Sequence, residues 1–153
     1  MQKLLKISML IVAGLIISCK KDDNTVVPNP GFTNAQKRNA LTTGYWSLTK
    51  VNGQIFTQEC SKDDKLIFKN DGNLVIDNGA VKCNLEPDQY LGTFTLDTVK
   101  TAYIARKVTI PAQGSTPLQV LVDTLDVIKL DTSTLELQFR NDQKTLQTYQ
   151  KKY

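Results

Sequence analysis

The sequence predicts an all-β fold, an antiparallel up-and-down barrel of about eight strands preceded by one short helix. Three observations point there. From Tyr45 onward, apolar residues alternate with polar ones in short runs, the period of a strand with one face buried. Between the runs stand turn residues, above all Asn52-Gly53, Asn70-Asp71-Gly72-Asn73 and Asn78-Gly79. The links are short, the order expected of a meander that closes on itself and so removes its edges.

The chain begins with a segment that does not belong to that fold. Lys3 and Lys6 precede a nearly uninterrupted apolar run from Ile7 to Ile17. It is shorter than the roughly 20 apolar residues of a transmembrane helix but suits the core of a secretory signal. The run closes on Ile16-Ile17-Ser18-Cys19, which looks like the lipobox of bacterial lipoproteins. That resemblance implies cleavage after Ser18, diacylglycerol on the Cys19 thiol and acylation of the new amino terminus. Residues 1–18 are thus expected to be a signal peptide and residues 19–31 a lipidated tether. The tether is rich in Pro, Asn and Gly, a composition that cannot build a core. Its Lys20-Lys21-Asp22-Asp23 resembles the export tag of surface lipoproteins in some Gram-negative bacteria. The expected location is a lipid anchor in the outer membrane, at the cell surface or on the periplasmic face.

Residues 32–153 make one domain, long enough for a single core. Thr33 to Leu41 holds good helix formers behind a Thr33 or Asn34 cap, and Gly44 ends the helix. Tyr45 to Val51 is the first strand. Lys65 to Lys69 and Leu74 to Ile76 form a hairpin around the Asn-Asp-Gly-Asn turn. Gln89 to Leu96 places Tyr90, Gly92, Phe94 and Leu96 on one face, and Ala102 to Ile110 places Ile104, Val108 and Ile110 on a side with Arg106. Pro111 to Pro117 is a loop, Leu118 to Leu130 a long strand bent near Asp123-Thr124. After Asp131 to Thr134 the alternation is strict, with Leu135, Leu137 and Phe139 inward. Thr145 to Tyr149 closes the series.

Composition narrows the chemistry. Without Lys3 and Lys6 the 19 basic residues become 17 against 15 acidic, so the mature charge is +2 and the pI of about 8.9 partly reflects the leader. No basic stripe with interleaved aromatics appears, so nucleic acid is not an expected partner. Once Cys19 carries lipid, Cys60 and Cys83 remain as an even pair in a compartment where disulfides persist, and they are expected to be bonded. Closing that loop contributes about 3 kcal/mol in the chain-entropy view. The chain has no histidine, so a zinc set is disfavoured and Ser-His-Asp or Cys-His catalysis is excluded.

Gly44-Tyr45-Trp46 supplies the Gly-x-Trp that marks lipocalins near their first strand. Cys60, Asp63-Asp64, Leu66-x-Phe68, Asp71-Gly72, Cys83, Gly92-Thr93-Phe94 and the run from Ile128 to Leu137 follow in order. From Leu41 to Lys151 the chain resembles the lipocalin-like domains of bacterial lipoproteins. The resemblance implies an eight-stranded barrel, Trp46 plugging the closed end, and a bridge between Cys60 and Cys83. The sequence departs from the transport-type pattern in having no clear C-terminal helix.

Catalysis is not expected, nor any cofactor or metal. Asp63 and Asp64 are adjacent and read as solvated loop charges, since on a strand they face opposite ways. Asn70-Asp71-Gly72 is a turn rather than a calcium loop, because Ile67 stands where the first acidic ligand belongs. Asp97-Thr98-Val99 and Asp123-Thr124-Leu125 match an acid-Thr-aliphatic glycosylation sequon. Candidate ligand-lining residues are Tyr90, Phe94, Tyr103 and Arg106, aromatics with one charge for a small hydrophobic or amphipathic molecule. Tyr103 and Arg106 lie on opposite faces of a regular strand, so only a bulge lets both point inward. The expectation is a monomeric, membrane-anchored binding protein; the alternative is a surface module that meets glycan or another outer-membrane protein. Cys19→Ala is expected to abolish metabolic lipid labelling and to release the domain from membranes, read by fractionation; retention of either property refutes the anchor.

Overall fold

A computed structural model describes residues 31–83, 86–98, 102–112, 117–141 and 143–153. The expected signal peptide, Cys19 and the expected tether as far as Pro30 lie outside the described residues.

Helix α1 (Asn34–Thr42) begins at Thr33, whose Oγ1 accepts the Gln36 N–H at 3.2 Å while Gln36 Oε1 accepts the Thr33 N–H at 2.8 Å. This reciprocal cap satisfies two amides that helix geometry leaves without partners. Only Ala40 and Leu41 of the helix are buried, so it docks by its C-terminal end.

Nine strands follow: β1 (Tyr45–Val51), β2 (Gln54–Ile55), β3 (Lys65–Phe68), β4 (Asn73–Asp77), β5 (Gln89–Asp97), β6 (Tyr103–Ile110), β7 (Gln119–Leu130), β8 (Thr134–Phe139) and β9 (Leu146–Lys152). Every strand from β3 to β8 pairs antiparallel with its successor, and β1 pairs with both β3 and β9. The result is a closed eight-stranded up-and-down barrel with lipocalin-like layout. β2 is a two-residue flap on β1 that periodicity does not reveal. Asn52 and Gly53, both with positive φ, make the turn into it.

The two seams of β1 differ. Against β9 it runs from Tyr45↔Lys152 to Val51↔Gln147 with a shift between Leu48 and Lys50, whereas against β3 the register holds one pair, Trp46↔Leu66. β7 is also a single strand across Asp123-Thr124. Its irregularity falls instead between Val127 and Lys129, where the ladder to β8 shifts.

Inward positions of every long strand meet in one core around Trp46, Phe68, Leu74, Ile104, Leu125, Leu135 and Leu137. Trp46 is fully buried and donates its Nε1–H to Leu41 O at 2.8 Å, which ties the barrel floor to the end of α1. Phe68 and Phe94 meet edge to face with centroids 4.9 Å apart. Two glycines are sterically required. At Gly44, φ is +73° and a side chain would collide with the Lys152 carbonyl; at Gly92 a Cβ would collide with the Lys107 carbonyl and sit 3.1 Å from Val108 Cα.

Cys60, in a 3-10 turn (Glu59–Ser61), and Cys83 are joined as expected, with Cα atoms 5.0 Å apart. The bridge ties the segment before β3 to the link between β4 and β5. Gly92→Ala is expected to destabilise the fold by about 1–3 kcal/mol, because the ladder between β5 and β6 must open to admit a methyl group. Urea unfolding followed by the emission of Trp46, the single tryptophan, measures it.

Candidate ligand site at the barrel mouth

α1 closes one end of the barrel. Arg38 donates to Asn70 O at 2.8 Å and Thr42 to Asn70 Oδ1 at 2.5 Å, which fixes the helix on the turn between β3 and β4. From the β9 side, Lys151 donates to Ala40 O and holds its ammonium 4.7 Å from the Trp46 ring. Antiparallel alternation then places the disulfide and the links leaving β4, β6 and β8 at the opposite end, the mouth.

Inside that mouth lies a cavity of about 110 Å³. Trp46, Leu48, Leu66 and Ile76 form its apolar walls, Asp64, Arg106 and Tyr149 are its polar lining, and Lys65 borders it with its ammonium turned outward to Asp77 and the Tyr45 ring. It sits beside the single Trp46↔Leu66 pair, where β1 and β3 part. A wider groove of about 340 Å³ lies outside the barrel, beside α1 and Phe32, Lys151 and Tyr153. It is a surface concavity, less suited to desolvate a ligand.

The four expected lining residues divide. Arg106 is inward with Ile104 and Val108, and its side chain is only 14% exposed. Nε and Nη2 both donate to Asp123 Oδ2, at 3.2 and 3.0 Å, across the Arg106↔Asp123 pair. The guanidinium also lies 5.2 Å from the Phe139 ring. Tyr90 is half-buried on the same inner face, where burial raises its hydroxyl above the ordinary value. Phe94 is buried in the core against Phe68, so it supports the site without lining the cavity. Tyr103 corrects the expectation. The ladders of β6 to β5 and β7 are regular, so with Arg106 inward Tyr103 faces outward, its ring 4.9 Å from the Arg140 guanidinium.

The acidic pair is likewise corrected. Neither Asp63 nor Asp64 is a solvated charge: one carboxylate oxygen of each is fully buried without a hydrogen-bond partner. Asp63 Oδ2 accepts the N–H groups of Ala80 at 2.6 Å and Val81 at 3.3 Å, and the Ala80 bond holds its carboxyl below the ordinary range. Its contribution to stability is therefore present above the unfolded pKa and lost as pH falls through the lower folded one. Asp63 thus latches the chain after Gly79 onto the start of β3. Asp64 behaves in the opposite sense. Burial pushes its carboxyl up, and Glu86, Asp63 and Asp77 add to the rise. Across the cavity, burial raises Tyr149 to about 12, with its hydroxyl donating to Gln147 Oε1 at 2.6 Å.

Asp64, Lys65, Ile76, Asp123 and Tyr149 were not singled out from sequence as lining or supporting residues. Alternation carries a signal for Ile76 and Tyr149, which share parity with core neighbours; nothing local announces Asp64. Thr98 is half-buried just after β5, and Thr124 lies within β7 with its carbonyl accepting the Arg140 N–H at 3.2 Å. Among the described residues, no group of three or more Cys, Asp or Glu is placed to hold a metal ion. Compared with protein-family models, curated proteins and solved structures, the chain matches none.

Asp64→Asn is expected to raise stability at neutral pH. The ionised carboxylate is disfavoured in the fold, so the gain is full above the raised folded pKa and fades as pH falls through it towards the unfolded value. Urea midpoints of both proteins across that acid range test the sign; a loss at neutral pH refutes the assignment.

Proposed function

We propose that this chain is a lipid-anchored protein of the bacterial cell envelope whose barrel binds, without catalysis, a small amphipathic molecule at its mouth. The observation that carries the reading is the cavity, where four apolar walls meet Asp64, Tyr149 and Arg106, itself paired with Asp123. Such a site suits a ligand with an apolar end and a polar head. At about 110 Å³ it takes one end of a ligand, since whole drug-sized molecules occupy roughly 300–1,000 Å³. The rest of the ligand then lies along Ile110 and Leu121, the inner residues beyond Arg106 and Asp123 that are not closed off in the core. The absence of histidine from the sequence supports a non-catalytic role. The leader ending at Cys19 supports the anchor, and an outer-membrane location accords with the tether that follows.

One observation favours the second reading, a surface module. Leu91, Leu118, Val120, Leu121 and Val122 are exposed aliphatics around the mouth. They suit a protein partner better than a glycan, which stacks on aromatic rings.

Native mass spectrometry of the protein purified from its own host is expected to find a retained small molecule that Ile76→Phe excludes by filling the cavity. A fluorescent fatty-acid analogue is expected to perturb Trp46 emission in the wild type and not in that variant. An empty wild type whose emission ignores the analogue overturns the ligand reading and leaves the surface module.

A further inference from the structure

β7 outruns its neighbour. Its ladder to β8 begins at Leu125↔Phe139, and the last bond on that side is the Arg140 N–H donating to Thr124 O. From Gln119 to Asp123, β7 is paired with β6 alone among the described residues. Backbone groups alternate between the two edges of an antiparallel strand. Since Thr124 points towards β8, the N–H and C=O of Val122 and Val120 point to the same edge, where no strand among the described residues meets them.

Folded proteins guard such edges with lysine, proline, bulges or covering loops. This one carries Val120-Leu121-Val122, exposed by 46%, 46% and 73%. An apolar run on both faces is the pattern of a strand covered on both sides. The run is also palindromic. A two-fold axis at Leu121 opposes Val120 to Val122 of the other copy in two hydrogen-bonded pairs and Leu121 to its own equivalent. It also brings the Gln119 amide opposite Asp123, whose Oδ1 receives neither of the Arg106 bonds.

We propose that the exposed edge of β7 pairs with the same edge of a second copy of this chain, antiparallel about Leu121, to form a two-fold dimer with a continuous sheet. Strand addition of this kind takes its affinity from main-chain bonds and its register from side chains. The interface is small. Leu91 and Leu118, 54% and 59% exposed, flank the valines, and the apolar area is on the order of a few hundred Å² per copy. That falls below the roughly 800 Å² per partner of a standard interface, so the dissociation constant lies above about 1 μM. The dimer replaces the monomer that the sequence suggests, and it stands whether or not the chain is lipid-anchored.

Cysteine placement tests it in the full chain in detergent, in a Cys19→Ala background so that the engineered thiol is the unpaired one. Residues opposed at a non-hydrogen-bonded antiparallel site have Cα atoms about 4.5 Å apart, within disulfide reach. Leu121→Cys is therefore expected to cross-link to a dimer under mild oxidation, while Val122→Cys, whose own equivalent is offset along the ladder, lags well behind. Sedimentation equilibrium from roughly 10 μM to 1 mM is expected to show reversible dimers that Val122→Lys weakens by about tenfold or more. Unchanged Trp46 emission establishes that each variant is folded. A folded Leu121→Cys chain that does not cross-link, a wild type monomeric throughout that range, or an edge occupied by a different protein's strand overturns the proposal.

Discussion

Closure of the sheet by β1 against β9 is the constraint on which the rest of the structure depends. Trp46 enters the core opposite Lys151, and Gly44, without a side chain, lets the chain pass against the Lys152 carbonyl. Lys151 then reaches both the Trp46 ring and the Ala40 carbonyl, and Trp46 itself reaches Leu41. Helix, floor and final strand are therefore held by one cluster of contacts. It joins residues about a hundred positions apart, as the Thr49 hydroxyl and Thr148 carbonyl also are at 3.0 Å, so it forms only after a large loss of chain entropy.

The mouth is organised differently from the floor. The closed end rests on apolar burial and capped carbonyls, whereas the open end rests on the disulfide, the Asp63 latch and the Arg106–Asp123 pair. These polar fastenings leave β1 and β3 with a single paired position, and the cavity lies beside it. Asp64 bears the cost of that arrangement. A buried carboxylate oxygen without a partner is tolerated at a site better than within a packed core, where its desolvation has no compensating interaction.

Local patterns recovered the helix cap, the hairpin around Asp71 and the inward parity of β5, β6 and β8 because each depends on near neighbours in the chain. Tyr103 shows the limit of that logic: the strand period put it opposite Arg106, and the unbroken ladders decided which of the two faced inward. Asp63 and Asp64 were misread for a related reason. Their partners and walls come from Ala80, Ile76 and Tyr149, and no local rule connects such distant residues. The flap β2 and the displaced bulge of β7 escaped because two residues carry no period and a bulge leaves composition unchanged.

The sequence by itself determined the strand alternation, the turn positions, the even cysteine pair and the exclusion of histidine chemistry, since these follow from residue type and spacing. It also supplies the case for a leader and a lipid anchor at Cys19, which lies outside the described residues. Only the tertiary structure decided the size of the cavity, the pairing of Arg106 with Asp123, the opposed ionisation of Asp63 and Asp64, and the edge that β7 leaves unpaired among the described strands. Each depends on which strands meet and where their ladders stop, and closure of the whole barrel fixes both.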